Sequence, residues 1–129
     1  MEEKSEHMRD GDDIVITLRD RLAILDLPLI QTRYAGNNSA PNGVEGDSAF
    51  KDRVKPKLYG KAINVSPLLV NTSKSIWQFC SNQATISAVR DRGAALTAGA
   101  AYTSQSDMET TAPAAGQYRV WSSSSGTLS

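Results

Sequence analysis

The sequence predicts a mainly β fold, a β-rich α+β arrangement in the form of a small sandwich or barrel-like domain with two short helices. Three observations carry that expectation. Short stretches rich in β-branched and aromatic residues recur at spacings of roughly ten residues, the rhythm of strands in all-β domains. Clusters of Gly, Asn, Pro and Ser stand between them, where tight turns need residues that accept positive φ or fix their own. The chain has 129 residues, enough for one core that buries roughly two-thirds of the unfolded surface without metals or disulfides.

Residues 1–13, MEEKSEHMRDGDD, carry charge and no hydrophobic period. They are read as a disordered charged lead, with 14–129 as a single β-rich domain. "IVITL" then alternates, placing Ile14, Ile16 and Leu18 on one face of a strand. "RDRLAILD" changes the period: Leu18, Leu22 and Leu25 fall at helical spacing until Pro28, a two-turn helix short enough to need tertiary support. From Ala35 to Asp47 the text is "AGNNSAPNGVEGD", a long surface loop of the kind that displays contacts on a rigid scaffold. Asn42-Gly43 taken alone also has the form of a tight hairpin turn.

"VKPKLYGKAINV" follows as one expected strand, bulged near Gly60. "LLVN" and "SIWQFC" continue in strand-like composition, and "ATISAVRD" alternates before the turn signal Arg92-Gly93. Ser104 stands three residues before Asp107, and Ser106 three before Glu109. Either spacing fits a capping box, so a helix is expected from Gln105 to Thr111, with Pro113 closing the segment. "QYRVW" is then a strand, "SSSSG" a turn and "TLS" the start of a return strand. That abrupt finish points to a piece of something larger.

Lysine plus arginine total 14 and aspartate plus glutamate total 14, a formal net charge of zero with neutral histidine. No global electrostatic pull toward nucleic acid or an anionic membrane follows from that balance. There is no run of about 20 apolar residues for a spanning helix, and the first residues lack the apolar stretch of a secretory signal. A chain of this kind is expected to be made in the cytosol and to stay there unless other machinery carries it. Cys80 is the one cysteine, which excludes an intramolecular disulfide and is expected to be a buried structural thiol.

The residues needed for catalysis are sparse. A serine or cysteine nucleophile needs a base within hydrogen-bond reach, and the sole histidine, His7, lies in the charged lead. The His and Cys count cannot make a zinc site, and "DGDD" at Asp10 to Asp13 lacks the closing glutamate of a calcium loop. Glu45, Asp47 and Asp52 are the candidates for a glycosidase-like carboxylate pair; as loop acids they are expected to be solvated. No glycine-rich phosphate loop has the required spacing. "KDRVKPK" with Tyr59 nearby has the composition of a phosphate-backbone contact, yet it reads better as a strand edge guarded by lysines. Trp77 and Trp121 offer faces for a sugar ring, yet tryptophans within strand patterns more often serve as core or interface anchors. No catalytic residue, metal ligand or cofactor site is therefore assigned.

Three blocks occur in a fixed order: "KPKLYGKAINVSPLLVN" from Lys55 to Asn71, "VRDRGAALTAGAAY" from Val89 to Tyr102, and "APAAGQY" from Ala112 to Tyr118. Their wording and order resemble a group of tailed-bacteriophage and prophage structural proteins encoded among the tail-tip genes, over roughly Ile14 to Trp121. The resemblance implies a segment of a tail-tip or baseplate hub protein from a long, non-contractile tail. Members of that group extend further on both sides. It also implies a place in the virion tail after synthesis in the bacterial cytoplasm. Other phage tail proteins would be the partners, in a homo-oligomeric assembly with no nucleic acid and no membrane insertion, and no catalytic residue carries over. On that reading Tyr34, Asn42, Trp77, Phe79, Tyr118 and Trp121 are the candidate interface residues, as aromatic anchors and a loop contact. A host-receptor or carbohydrate-binding module at the tail tip is the alternative.

Overall fold

A computed structural model describes residues 9–10, 13–14, 28–124 and 126–129. The chain divides into two compact units, residues 1–31 and 32–129, whereas composition alone places the boundary after residue 13. In the first unit, β1 (Arg9–Asp10) pairs antiparallel with β2 (Asp13–Ile14), Arg9 opposite Ile14. The remainder of the expected strand through Leu18, and the helix expected over "RDRLAILD", lie outside the described residues.

The second unit is mainly β, as its alternating stretches predict. It contains β3 (Leu68–Asn71), β4 (Ile76–Cys80), β5 (Arg90–Asp91), β6 (Ala94–Ala95) and β7 (Thr97–Ala98). The helix α1 (Gln105–Thr110) precedes β8 (Gln117–Tyr118), β9 (Trp121–Ser123) and β10 (Gly126–Leu128). Four strands form an open antiparallel sheet in the order β3-β4-β10-β9, beside an antiparallel β5-β6 ladder and a parallel β7-β8 ladder. The strand β4 shows why the sheet forms: Ile76, Gln78 and Cys80 are buried while Trp77 and Phe79 point to the opposite face, the period of two that a half-covered strand requires. Asn71 closes the β3-β4 turn by accepting from the Lys74 N–H at 3.0 Å.

"TLS" reads as the opening of a return strand, but β10 lies inside the sheet, between β4 and β9, with all three residues buried. Gly126 permits this, because a Cβ there would sit 2.9 Å from Gln78 Nε2 and 3.1 Å from the Cys80 carbonyl. Ser129 extends the pairing by donating to and accepting from the Trp77 backbone. "QYRVW" is divided between two ladders. Its first part runs beside residues 97–102, which donate from Thr97, Gly99 and Tyr102 to the carbonyls of Gly116, Tyr118 and Val120. Its last residue, Trp121, begins β9, opposite Leu128.

Two expected strands do not form. In "VKPKLYGKAINV" the described pairing is a bridge between Val54 and Arg33, and the rest runs without a ladder. Gly60 at φ +75° and Asn64 at φ +56° turn the backbone out of the β region, and Tyr59, Ile63 and Val65 stay exposed. In "ATISAVRD" only Arg90 and Asp91 join a ladder. Its first residue is drawn toward β9 and β10 instead, because the Ala84 N–H donates to Thr127 Oγ1 and its carbonyl accepts from Ser122. The turn after it is as predicted: Arg92 and Gly93 both have positive φ, 48° and 87°, the requirement of a type I′ hairpin.

The loop from Ala35 to Asp47 contains no helix or strand. Its turn spans Ser39 to Asn42, closed by the Asn42 N–H on the Ser39 carbonyl at 2.7 Å, with a cis Ala40-Pro41 peptide. Two amides tie the loop to the sheet. Asn38 Nδ2 donates to the Val70 carbonyl, and Asn71 Nδ2 donates to the carbonyls of Pro41 and Gly43. The β3 edge is thereby covered, as exposed strand edges generally are in native folds.

The predicted capping box at α1 forms with a displacement of one residue. Ser104 Oγ accepts from the Asp107 N–H at 3.1 Å, while the Asp107 carboxylate returns to the N–H of Thr103 rather than to that of Ser104. Met108 is the buried residue of this helix. It joins Tyr34, Val70, Ile76, Tyr102 and Leu128 in the core, with Val44, Phe50, Leu68 and Trp121 packed around them.

Candidate interaction surface

The six residues expected at an interface separate into three environments. Tyr34 is 1% exposed and Tyr118 is buried, so both serve the interior of this chain and present no ring to a partner. Tyr34 packs edge-on against Phe50 at 5.4 Å, and its hydroxyl donates to Gln78 Oε1. Trp121 is half-buried against the same core. Asn42 is exposed on the loop, at an open polar hollow of about 390 Å³ shared with Asn37, Asn38, Ser39 and Gln105. Trp77, 40% exposed, and Phe79, half-buried, are brought together by the alternation of β4 on its outward face.

The charged groups near the core have structural duties. Lys55 is buried and forms an ion pair with Glu45, whose other oxygen accepts from the Ala35 N–H at 3.0 Å. Its ammonium also lies 5.2 Å from the centre of the Tyr34 ring. Asp47 accepts from the Ala49 N–H at the start of a 3₁₀ turn, Ser48–Phe50. Burial, with the Glu45 charge adding to it and Arg53 opposing it, pushes the Tyr34 hydroxyl up to about 12. Burial likewise raises Tyr102, beneath an Arg119 guanidinium 4.0 Å from its ring. Asp107 is held below the usual carboxylate range, first by the Thr103 N–H, then by the Thr111 hydroxyl, with Arg119 adding to both. Cys80 is buried as expected, its thiol directed at the Asn82 carbonyl at 3.1 Å. Among the described residues no group of three His, Cys, Asp or Glu is placed to hold a metal. No described helix is long and apolar enough to cross a membrane.

Phe79 leads to a feature that no sequence motif marks. A groove of about 500 Å³ lies between the two segments that failed to become strands, 58–67 and 84–90, with β4 contributing Phe79. Leu58, Ile63, Val65, Ile86 and Val89 supply its apolar lining. The same alternation that led these segments to be read as strands supplies those side chains. Ile63 is 77% exposed and Tyr59, in the same segment, 60%. From Arg53 to Arg90 the sequence holds six cations, Arg53, Lys55, Lys57, Lys61, Lys74 and Arg90, and no acid. Of these, only Lys55 has an ion-pair partner among the described residues. Arg90 lines the groove, and Lys57 and Lys61 stand next in sequence to its lining residues Leu58 and Ala62, a local basic character that the zero net charge of the whole chain conceals.

No protein-family model matches the chain, and no curated protein or solved structure matches it at a significant level.

Proposed function

We propose that the protein is a structural component of a phage or prophage tail tip or baseplate hub and acts through protein–protein assembly, homo-oligomeric in the tail. The observation that carries this reading is the apolar groove between 58–67 and 84–90, lined by Arg90 and by the exposed Ile63 and Val65. Contiguous exposed apolar surface on a small chain marks a place where another molecule sits. The order of the three sequence blocks supports the location, and the apolar surface supports the mode of action. Immunogold electron microscopy of particles induced from the source strain, with antibody raised against this chain, tests the reading. Label at the distal end of tails is expected; antigen free in the lysate with bare particles would overturn it.

One observation favours the second reading, a carbohydrate-binding module at the tip: Trp77 presents part of its indole to solvent, and aromatic faces suit sugar rings. Titration with host polysaccharide separates the two. An assembly subunit leaves tryptophan fluorescence unchanged, whereas a saturable change transfers the assignment to glycan binding.

A further inference from the structure

Part of the backbone along the groove has no hydrogen-bond partner among the described residues. From Tyr59 to Ser66, and from Thr85 to Ala88, no main-chain N–H or C=O is bonded to another group among the described residues. The last bonded positions are Leu58, held at both its N–H and its carbonyl by the Asn82 amide, and Ala84, held by Thr127 and Ser122. Two facing segments with strand-like composition thus carry unused donors and acceptors on either side of an apolar slot. Backbone polar groups of this kind are satisfied by water or by a strand from elsewhere, and a strand satisfies them while burying the lining.

We propose that the groove takes an extended, apolar, acid-flanked segment of a partner protein, which adds as a strand against the open backbone of 85–88 and of 61–63, between the turns at Gly60 and Asn64. The proposal deepens the assembly reading and rests on it. An extended occupant is required because a helix satisfies its own N–H and C=O groups and offers none to these segments. An apolar one is required by Leu58, Ile63, Val65, Phe79, Ile86 and Val89. Acidic flanks are required by charge: Arg90 lines the groove, Lys57 and Lys61 adjoin its lining residues Leu58 and Ala62 in sequence, none of the three has an ion-pair partner among the described residues, and no acid lies between Arg53 and Arg90. Such a rim steers and selects an oppositely charged segment more than it tightens binding.

The test uses the full chain and a short fluorescein-labelled peptide of alternating valine and threonine with glutamate at both ends. Its controls are a lysine-ended version and one with alternate backbone nitrogens methylated. The glutamate-ended peptide is expected to bind and to protect amides in 61–63 and 85–88 from hydrogen exchange. The lysine-ended peptide is expected to bind about tenfold more weakly at low salt, a gap that closes as salt rises, and the methylated one not at all. Lys61→Glu should erase the preference for acidic ends, and Val65→Asp should weaken every peptide; both positions are exposed, so neither change should unfold the chain.

Equal binding of all three peptides, or binding without protection of those amides, would overturn the proposal. So would protection that grows with protein concentration alone, which would make a second copy the occupant. Displacement of the peptide by a single-stranded oligonucleotide protecting the same amides would point to nucleic acid instead. Tail-tip label with no peptide binding defeats the groove proposal only. Peptide binding with bare particles defeats the tail reading only.

Discussion

Tyr34 shows how little a residue's type says about where it will lie. Beside a loop rich in Gly and Asn, an aromatic side chain looks available to a partner, yet its ring fills the core and its hydroxyl satisfies Gln78 on β4. Gln78 is itself a buried amide in a strand, explained only by that tyrosine and by its own Nε2 bond to the Cys80 carbonyl. Tyr34→Phe leaves the Gln78 oxygen without its donor and should cost about 1–2 kcal/mol in a urea titration. The folded protein holds the Tyr34 hydroxyl near 12 against 10.0 for a free tyrosine. Its contribution is therefore complete below pH 10 and is lost as pH rises toward 12. Alkaline unfolding followed by circular dichroism should show wild type losing stability over that interval more steeply than Tyr34→Phe.

Among the elements, those whose partners are neighbours in sequence were legible. The strands β3 and β4, the Arg92-Gly93 turn and the cap of α1 are each specified within about ten residues. Ser104→Ala removes the acceptor for the Asp107 N–H and should cost about 1 kcal/mol by thermal denaturation. Asp107 adds a pH signature at the same site. Because its carboxylate is held below the ordinary 3.8, the stabilisation is complete above that value and fades as pH falls beneath it. Asp107→Asn should lower the melting temperature at neutral pH and flatten this acid dependence. "VKPKLYGKAINV" and "ATISAVRD" were misread for the opposite reason. Alternation records that a segment suits a strand, but a ladder also needs a partner, and the described chain places none beside residues 59–66 or 85–88. The same two segments make up the groove, so it is visible in the sequence only as strand patterning without a pair and as a long stretch without acid.

For the molecule as a whole, stability centres on β10. Leu128 is 2% exposed and lies opposite both Gln78 of β4 and Trp121 of β9. Leu128→Ala should cost about 2–5 kcal/mol, measured by denaturant unfolding, enough to unfold a small domain of ordinary stability. Trp77→Ala removes a larger side chain from a more exposed position and should cost much less, while abolishing any fluorescence response to a ligand on the outer face. The contrast between these two variants separates the side chains that hold the fold from those it offers to other molecules. Mainly β architecture was legible from strand rhythm and turn residues. The central position of β10 was not, because three residues carry too little pattern to reveal two neighbours.

That position also sets a timetable. The β3-β4 hairpin can close as soon as its own residues meet, on the microsecond scale of hairpins. Its other edge must wait for a strand whose Thr127 reaches back 45 residues to the Asn82 carbonyl, and non-local closures of this kind slow folding. Until that strand arrives, β4 is an open apolar edge, and a concentrated solution of refolding chains will lose material to aggregation during the delay before β10 takes its place.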